Sequence, residues 1–160
     1  MQHYNPYLAC GRRIKLMKTT DLIQILNGDI ELIDHVNIKD EALLEDRVQI
    51  TPRHVKKMLV AFLQGQITAS DLTKWAEFIC FRCEYVSVCT DIDPLDHKYQ
   101  YREIADYYID MRYVVQKLST PYLDGEVNTI SVSQYLKELD KYKDDKYATL
   151  RPVPGLWEEN

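Results

Sequence analysis

A chain of 160 residues is one domain's worth of sequence, long enough to bury a core without support from a metal or disulfides. A hydrophobic fraction of 46% with 28% charged residues excludes wholesale disorder and fibrous classes, and five glycines with six prolines are too few for a turn-dense sandwich or barrel. The net charge of -5 is uneven, because residues 1–18 hold Arg12, Arg13, Lys15 and Lys18 and no acid; the acidic remainder disfavours nucleic acid as a partner and favours a basic one.

Residues 1–16 are expected to be a disordered basic leader, since Met17-Lys18-Thr19-Thr20 reads as a natural start. No apolar core of about 7 to 15 residues follows a basic start, so no secretory signal is read. The best apolar run, Met58 to Leu63, is stopped by Gln64 and Gly65, far short of the roughly 18 residues of a membrane span. Cys10, Cys80, Cys83 and Cys89 then read as reduced thiols of a cytoplasmic protein.

Residues 17–145 are expected to form a single all-α or mainly α domain, an antiparallel helical bundle with an irregular N-terminal part. Residues 146–160, with Arg151-Pro152-Val153-Pro154, are expected to form an extended tail, with Trp157 as its expected anchor. In chain order, Thr20 to Leu26 reads as a short helix, and Ile30 to Val36 and Glu41 to Glu45 as further helical pieces. Arg47 to Ile50 alternates polar with apolar and fits one short strand, with no sheet built on it. Thr51 is a good N-cap and Pro52 suits the first helical position; Val55, Met58, Leu59 and Phe62 then share a face, and Gly65 closes the helix. His54, in the first turn, is expected to face solvent.

Thr68 or Ser70 caps the next helix, with Asp71 at its positive end. Its apolar face is Leu72, Trp75, Ala76, Ile79, Cys80 and Cys83. A long helix from Tyr99 to Leu118 should bury Ile104, Tyr108, Met111, Val115 and Leu118 before Ser119-Thr120-Pro121 breaks it. A last helix, Ser131 to Tyr142, turns Val132, Tyr135, Leu136 and Leu139 inward. Leu26 to Ile30, Leu63 to Ile67 and Leu123 to Val127 share a Leu-x-Gly-x-aliphatic pattern, read as recurrent helix-end turns rather than a duplication.

Cys80, Cys83, Cys89 and His97 place four possible zinc ligands within eighteen residues. A closed zinc site brings ligands from two knuckles, whereas Cys80 and Cys83 fall on a helix's apolar face, so they read as small buried hydrophobes and no cofactor or metal is expected. Asp91, Asp93 and Asp96 invite comparison with a calcium loop, but Asp96 stands where that loop needs glycine and Arg102 where it needs its last acid. There is no phosphate-cradling loop, GxSxG elbow or HExxH, and the histidines are scattered singly, so the chain is read as a non-enzyme without a small-molecule substrate.

What rises above background is one face of the long helix. Glu103, Asp106, Asp110 and Tyr113 recur at helical spacing opposite the buried stripe, flanked by Tyr99, Tyr101 and Tyr107, with Asp91, Asp93 and Asp96 just upstream. Twelve tyrosines against three phenylalanines point the same way, because tyrosine offers rigid contact area with a polar tip. The competing reading is a solvated charged face beside Arg102 and Arg112. The expected binding set is Asp91, Asp93, Asp96, Glu103, Asp106, Tyr107, Asp110 and Tyr113, with a basic protein as partner and no membrane or nucleic acid.

The run Ile50-Thr51, Val55, Leu59, Leu63-x-Gly65-x-Ile67-Thr68, Asp71-Leu72 and Trp75-Ala76 resembles small bacterial immunity proteins of colicin-type and contact-dependent growth-inhibition systems. Leu118-Ser119-Thr120-Pro121, Leu123-x-Gly125 and the last helix extend the resemblance over roughly residues 50–140. It rests on helix-boundary residues and carries over no functional residue. It implies a cytoplasmic protein that binds a cognate toxin domain and blocks its active site. A regulatory or adaptor domain, with or without a zinc staple, is the alternative.

Overall fold

A computed structural model describes residues 18–36, 48–82, 84–87 and 99–142, with side chains given for all of these but 99–105. The described chain is mainly α: α1 (Thr19–Leu26), a 3-10 turn (Glu31–His35), β1 (Val48–Gln49), α2 (Pro52–Leu63), α3 (Ala69–Cys80), β2 (Tyr85–Val86), α4 (Tyr99–Ser119), α5 (Pro121–Asp124) and α6 (Thr129–Asp140). The expected leader, the Glu41–Glu45 helix and the tail with Trp157 lie outside the described residues.

Helix starts follow local hydrogen-bonding chemistry. Thr51 caps α2 in extended conformation, and Pro52 fills a first-turn position whose N–H would have no helical partner. The reciprocal acceptor, normally Glu or Gln, is His54, whose Nδ1 accepts from the Thr51 N–H at 3.0 Å and lies 2.9 Å from Thr51 Oγ1. His54 is therefore half-buried rather than solvent-facing. At α3, Thr68 Oγ1 accepts from the Asp71 N–H at 3.1 Å and the Asp71 carboxylate accepts from the Thr68 N–H at 2.9 Å. The bond from the Thr68 N–H, with the Thr68 side chain, holds the Asp71 carboxyl below its ordinary pKa. At α6, Asn128 Oδ1 accepts from the Ile130 and Ser131 N–H groups.

The three glycine turns behave alike. Gly28, Gly65 and Gly125 all have positive φ, and the aliphatics two residues on, Ile30, Ile67 and Val127, return to the core or its edge. At Gly65, φ of 72° is the left-handed conformation that ends a helix without a Cβ penalty.

The core lies where α3 packs on α4 and α2 on α6, with α4 also touching α2 and α6. Leu22, Ile25, Val55, Leu59, Leu72, Trp75, Met111, Leu118, Val132 and Leu139 are wholly buried. Each large apolar side chain contributes about 1.5–3 kcal/mol by leaving water. Two polar tips within this core find backbone partners on one helix: Trp75 Nε1 donates to the Ile25 carbonyl at 3.0 Å and the Tyr85 hydroxyl to the Leu22 carbonyl at 2.7 Å. Both bonds fasten α1 to the bundle. Burial raises the Tyr85 pKa well above that of a free phenol, so the hydroxyl stays a donor.

The short strand at Val48–Gln49 does find a partner, contrary to the expectation of no sheet. It pairs in parallel with Tyr85–Val86, and the Val48 and Ile50 N–H groups donate to the Glu84 and Val86 carbonyls at 2.8 and 2.9 Å. Parallel strands need a long crossover, which α2 and α3 supply. The Ile30–Val36 piece folds as the 3-10 turn, and Pro121 both ends α4 and starts the single turn of α5.

Candidate protein-binding surface

The sequence predicts one acidic, aromatic face on the exposed side of α4, and the structure divides it. Asp106 is exposed and Tyr113 is 57% exposed, seven residues apart on the same side of the helix. Asp110, between them, is engaged by the fold. Its carboxylate accepts from the Tyr142 hydroxyl at 2.7 Å and pairs with Lys141 Nζ at 2.8 Å, tying the end of α6 to the middle of α4. The same bond raises the Lys141 pKa above the ordinary value.

Tyr107 is a correction. Expected on the contact face, it is wholly buried, its ring stacked on Tyr142 with centroids 4.5 Å apart and Lys56 Nζ 5.4 Å from its centroid. The physical reason is that α4 packs against α3 on one flank and α6 on the other, so it buries Tyr107 and Val114 besides Tyr108, Met111, Val115 and Leu118. Burial opposes the Lys56 charge, but Tyr107 and Asp140 beside it prevail and raise its pKa. Glu103 lies on α4, but its side chain is outside the description, as are Asp91, Asp93 and Asp96 entirely. Arg112 leans the other way, donating to Ser87 Oγ at 3.2 Å, and Lys117 sits over the Tyr135 ring at 5.5 Å.

Cys80 is also corrected: it is exposed, not part of the apolar face of α3. The buried arc of α3 is rotated toward Phe78, which leaves position 80 at the edge. Cys83, Cys89 and His97 lie outside the described residues, and among the described residues no three His, Cys, Asp or Glu side chains gather to hold a metal.

Sequence reasoning missed a second surface. Tyr122 is 79% exposed, Leu123 75% and Ile130 81%, at the corner where α5 turns into α6. The signal was there in two forms. A single helical turn closed by Pro121 and Gly125 has no length to bury Tyr122 and Leu123, and Ile130 falls out of phase with the Val132, Tyr135, Leu139 stripe. Between Leu118 and Leu136 the only formal charges are Asp124 and Glu126, both exposed.

Two of the cavities lined by described residues bear on small-molecule binding. One, of about 70 Å³, is lined by Ile50, Ile79, Met111 and Val115 with Arg82 and Arg112, well below the roughly 300–1,000 Å³ of small-molecule sites. The other is a groove of about 490 Å³ along α2, with Arg53, Lys56 and Lys57 among its walls but no carboxylate, imidazole, hydroxyl or thiol. Lys57 donates to the Asn27 carbonyl at 2.8 Å and Lys56 pairs with Asp140 at 3.0 Å, so two of its cations serve the fold. Among the described residues no helix is long and apolar enough to cross a membrane. Comparison of the chain with protein-family models, with curated proteins and with solved structures gave no match.

Proposed function

We propose that the chain is a protein-binding module of the immunity type, which neutralises a toxin domain by covering its working surface. The observation that supports this reading best is the exposed aromatic Tyr113 on the same face of α4 as the exposed carboxylate Asp106, two turns away. An exposed tyrosine gives rigid contact area at low entropic cost, and a carboxylate on the same face speeds association with a basic partner. Toxin domains that cut nucleic acid present basic clefts, where an acidic face takes the place of phosphates. Asp110 adds charge only in part, because Lys141 and Tyr142 hold it. The resemblance over residues 50–140 points to the same class of partner.

The test is a growth assay with the protein encoded immediately upstream. Expressed alone it should arrest growth, and co-expression of this chain should restore it. A harmless neighbour, or toxicity that this chain leaves unrelieved, contradicts the proposal.

A further inference from the structure

We propose that the groove along α2 seats this chain's own C-terminal residues, with Trp157 against Ala61 and Ile67 and with Glu158 and Glu159 meeting Lys57 and Arg53. At about 490 Å³ the groove has the volume of a small-molecule site, yet its walls hold no carboxylate, imidazole, hydroxyl or thiol to act on a substrate. Val60, Ala61 and Ile67, all half-buried, supply its apolar part, and Arg53, Lys56 and Lys57 its charge. Lys57 and Ala61 are one helical turn apart, so the fitting occupant carries a large apolar side chain and acids side by side.

The chain leaves α6 at this groove. Lys56 Nζ pairs with Asp140 at 3.0 Å and lies 5.4 Å from the centroid of the Tyr107 ring, on which Tyr142 stacks. Residues 143–160 follow Tyr142 and lie outside the described residues. Fifteen positions separate Tyr142 from Trp157, which extended chain spans in up to about 50 Å, whereas the 12 residues of α2 make a helix about 18 Å long. Reach is therefore ample. The internal segments outside the description leave from Val36 and Ser87, neither of which lines this groove.

Charge selects the same segment. Residues 152–160 carry two formal charges, Glu158 and Glu159, next to Leu156 and Trp157. Over the whole of 143–160, Asp144 and Asp145 join them against Lys143, Lys146 and Arg151, and the balance stays acidic. On the groove side, Asp140 offsets Lys56, and Asp29 adjoins Gly28 in the wall; with both counted, the three cations are still in excess. Lys57 bonds the neutral Asn27 carbonyl and keeps its charge for an acid. Residues 1–18, with four cations and no acid, are repelled. Pro152 and Pro154 each fix φ, which lowers the entropy lost when the segment is held.

The test is NMR on the full chain with labelled alanine and isoleucine methyls. The Trp157 ring should contact the Ala61 and Ile67 methyls, and Trp157→Ser should shift those two signals while leaving that of Ile130 in place. This variant alters no residue of the described core, so its readout does not hinge on a damaged fold. Acrylamide quenching reads Trp157 selectively, because Trp75 is wholly buried. Quenching should rise in folded Ala61→Glu, and Glu158→Gln with Glu159→Gln should weaken docking roughly fivefold at low salt and less at high salt. Unmoved Ala61 and Ile67 signals in Trp157→Ser, or shifts confined to other methyls, overturn the proposal and leave the groove to a partner. Unchanged quenching in Ala61→Glu overturns it as well. Contacts seen only between differently labelled copies make a second copy the occupant and overturn docking within the chain.

Discussion

Asp110 and Asp106 lie four residues apart on one helix, yet the structure gives them different roles, and replacing each by alanine separates these. Asp110→Ala removes the acceptor of the Tyr142 hydroxyl at 2.7 Å and the partner of Lys141 at 2.8 Å. A hydrogen bond to a charged group contributes about 1.5–3 kcal/mol, and the low end applies because the Asp110 side chain is 30% exposed. The Lys141 pair, with the lysine 58% exposed, adds only about 0.3 kcal/mol. The expected loss is about 2 kcal/mol, or roughly 4–8 °C in Tm for a chain of this size. Asp106→Ala, at an exposed position, should stay within about 0.5 kcal/mol. Urea denaturation followed by circular dichroism measures both. Tyr142→Phe should reproduce most of the Asp110→Ala loss, and the two together should cost clearly less than their sum. Equal losses for Asp106→Ala and Asp110→Ala, or additive losses for Asp110→Ala and Tyr142→Phe, would refute the assignment of Asp110 to the fold.

Three further outcomes follow from the same geometry. Burial, aided by Lys57 and Arg53, holds the His54 imidazole below its ordinary 6.5, and its Nδ1 must be unprotonated to accept from Thr51. The unfolded chain then binds the proton more readily, so this stability is complete above about pH 6.5 and falls as pH drops below it. The urea midpoint should decline from about pH 6.5 to 5 in the unmodified chain and less so in His54→Gln; parallel declines contradict it. Gly125 holds φ 109° and ψ 160°, a region open essentially to glycine, so Gly125→Ala should cost about 1–3 kcal/mol even though nothing lies within 4 Å of an added Cβ. A neutral Gly125→Ala in thermal denaturation would argue against that backbone conformation. Tyr85→Phe, which loses only the bond to the Leu22 carbonyl, should cost about 1 kcal/mol and speed amide exchange across α1 in preference to α6. Uniform exchange would contradict the fastening of α1 by Tyr85.

The long helices were legible because periodicity and caps agree. Thr51-Pro52, Thr68 with Asp71, and the three glycine turns are local rules, satisfied by residues within a turn of one another. What escaped depends on partners far along the chain. Tyr85–Val86 is too short for any period, and only its pairing with Val48–Gln49 makes it a strand. Tyr107 reads as surface until α6 brings Tyr142 against its ring, and Asp110 reads as a free acid until the same turn delivers Lys141 and the Tyr142 hydroxyl. Of the expected binding set, Asp106 and Tyr113 stand exposed as anticipated. The exposed corner was readable in principle, from an apolar pair in a helix too short to bury it, but a search for charged faces passes over it.

On the proposed reading, Asp106 and Tyr113 meet a basic protein. The direct measurement is the affinity of the upstream-encoded partner for the unmodified chain and for Asp106→Lys with Tyr113→Ala, by calorimetry at low and high salt. The expected result is a loss of roughly thirtyfold or more at low salt, a smaller gap at high salt, and an unchanged Tm. Unchanged affinity in a folded variant would contradict it.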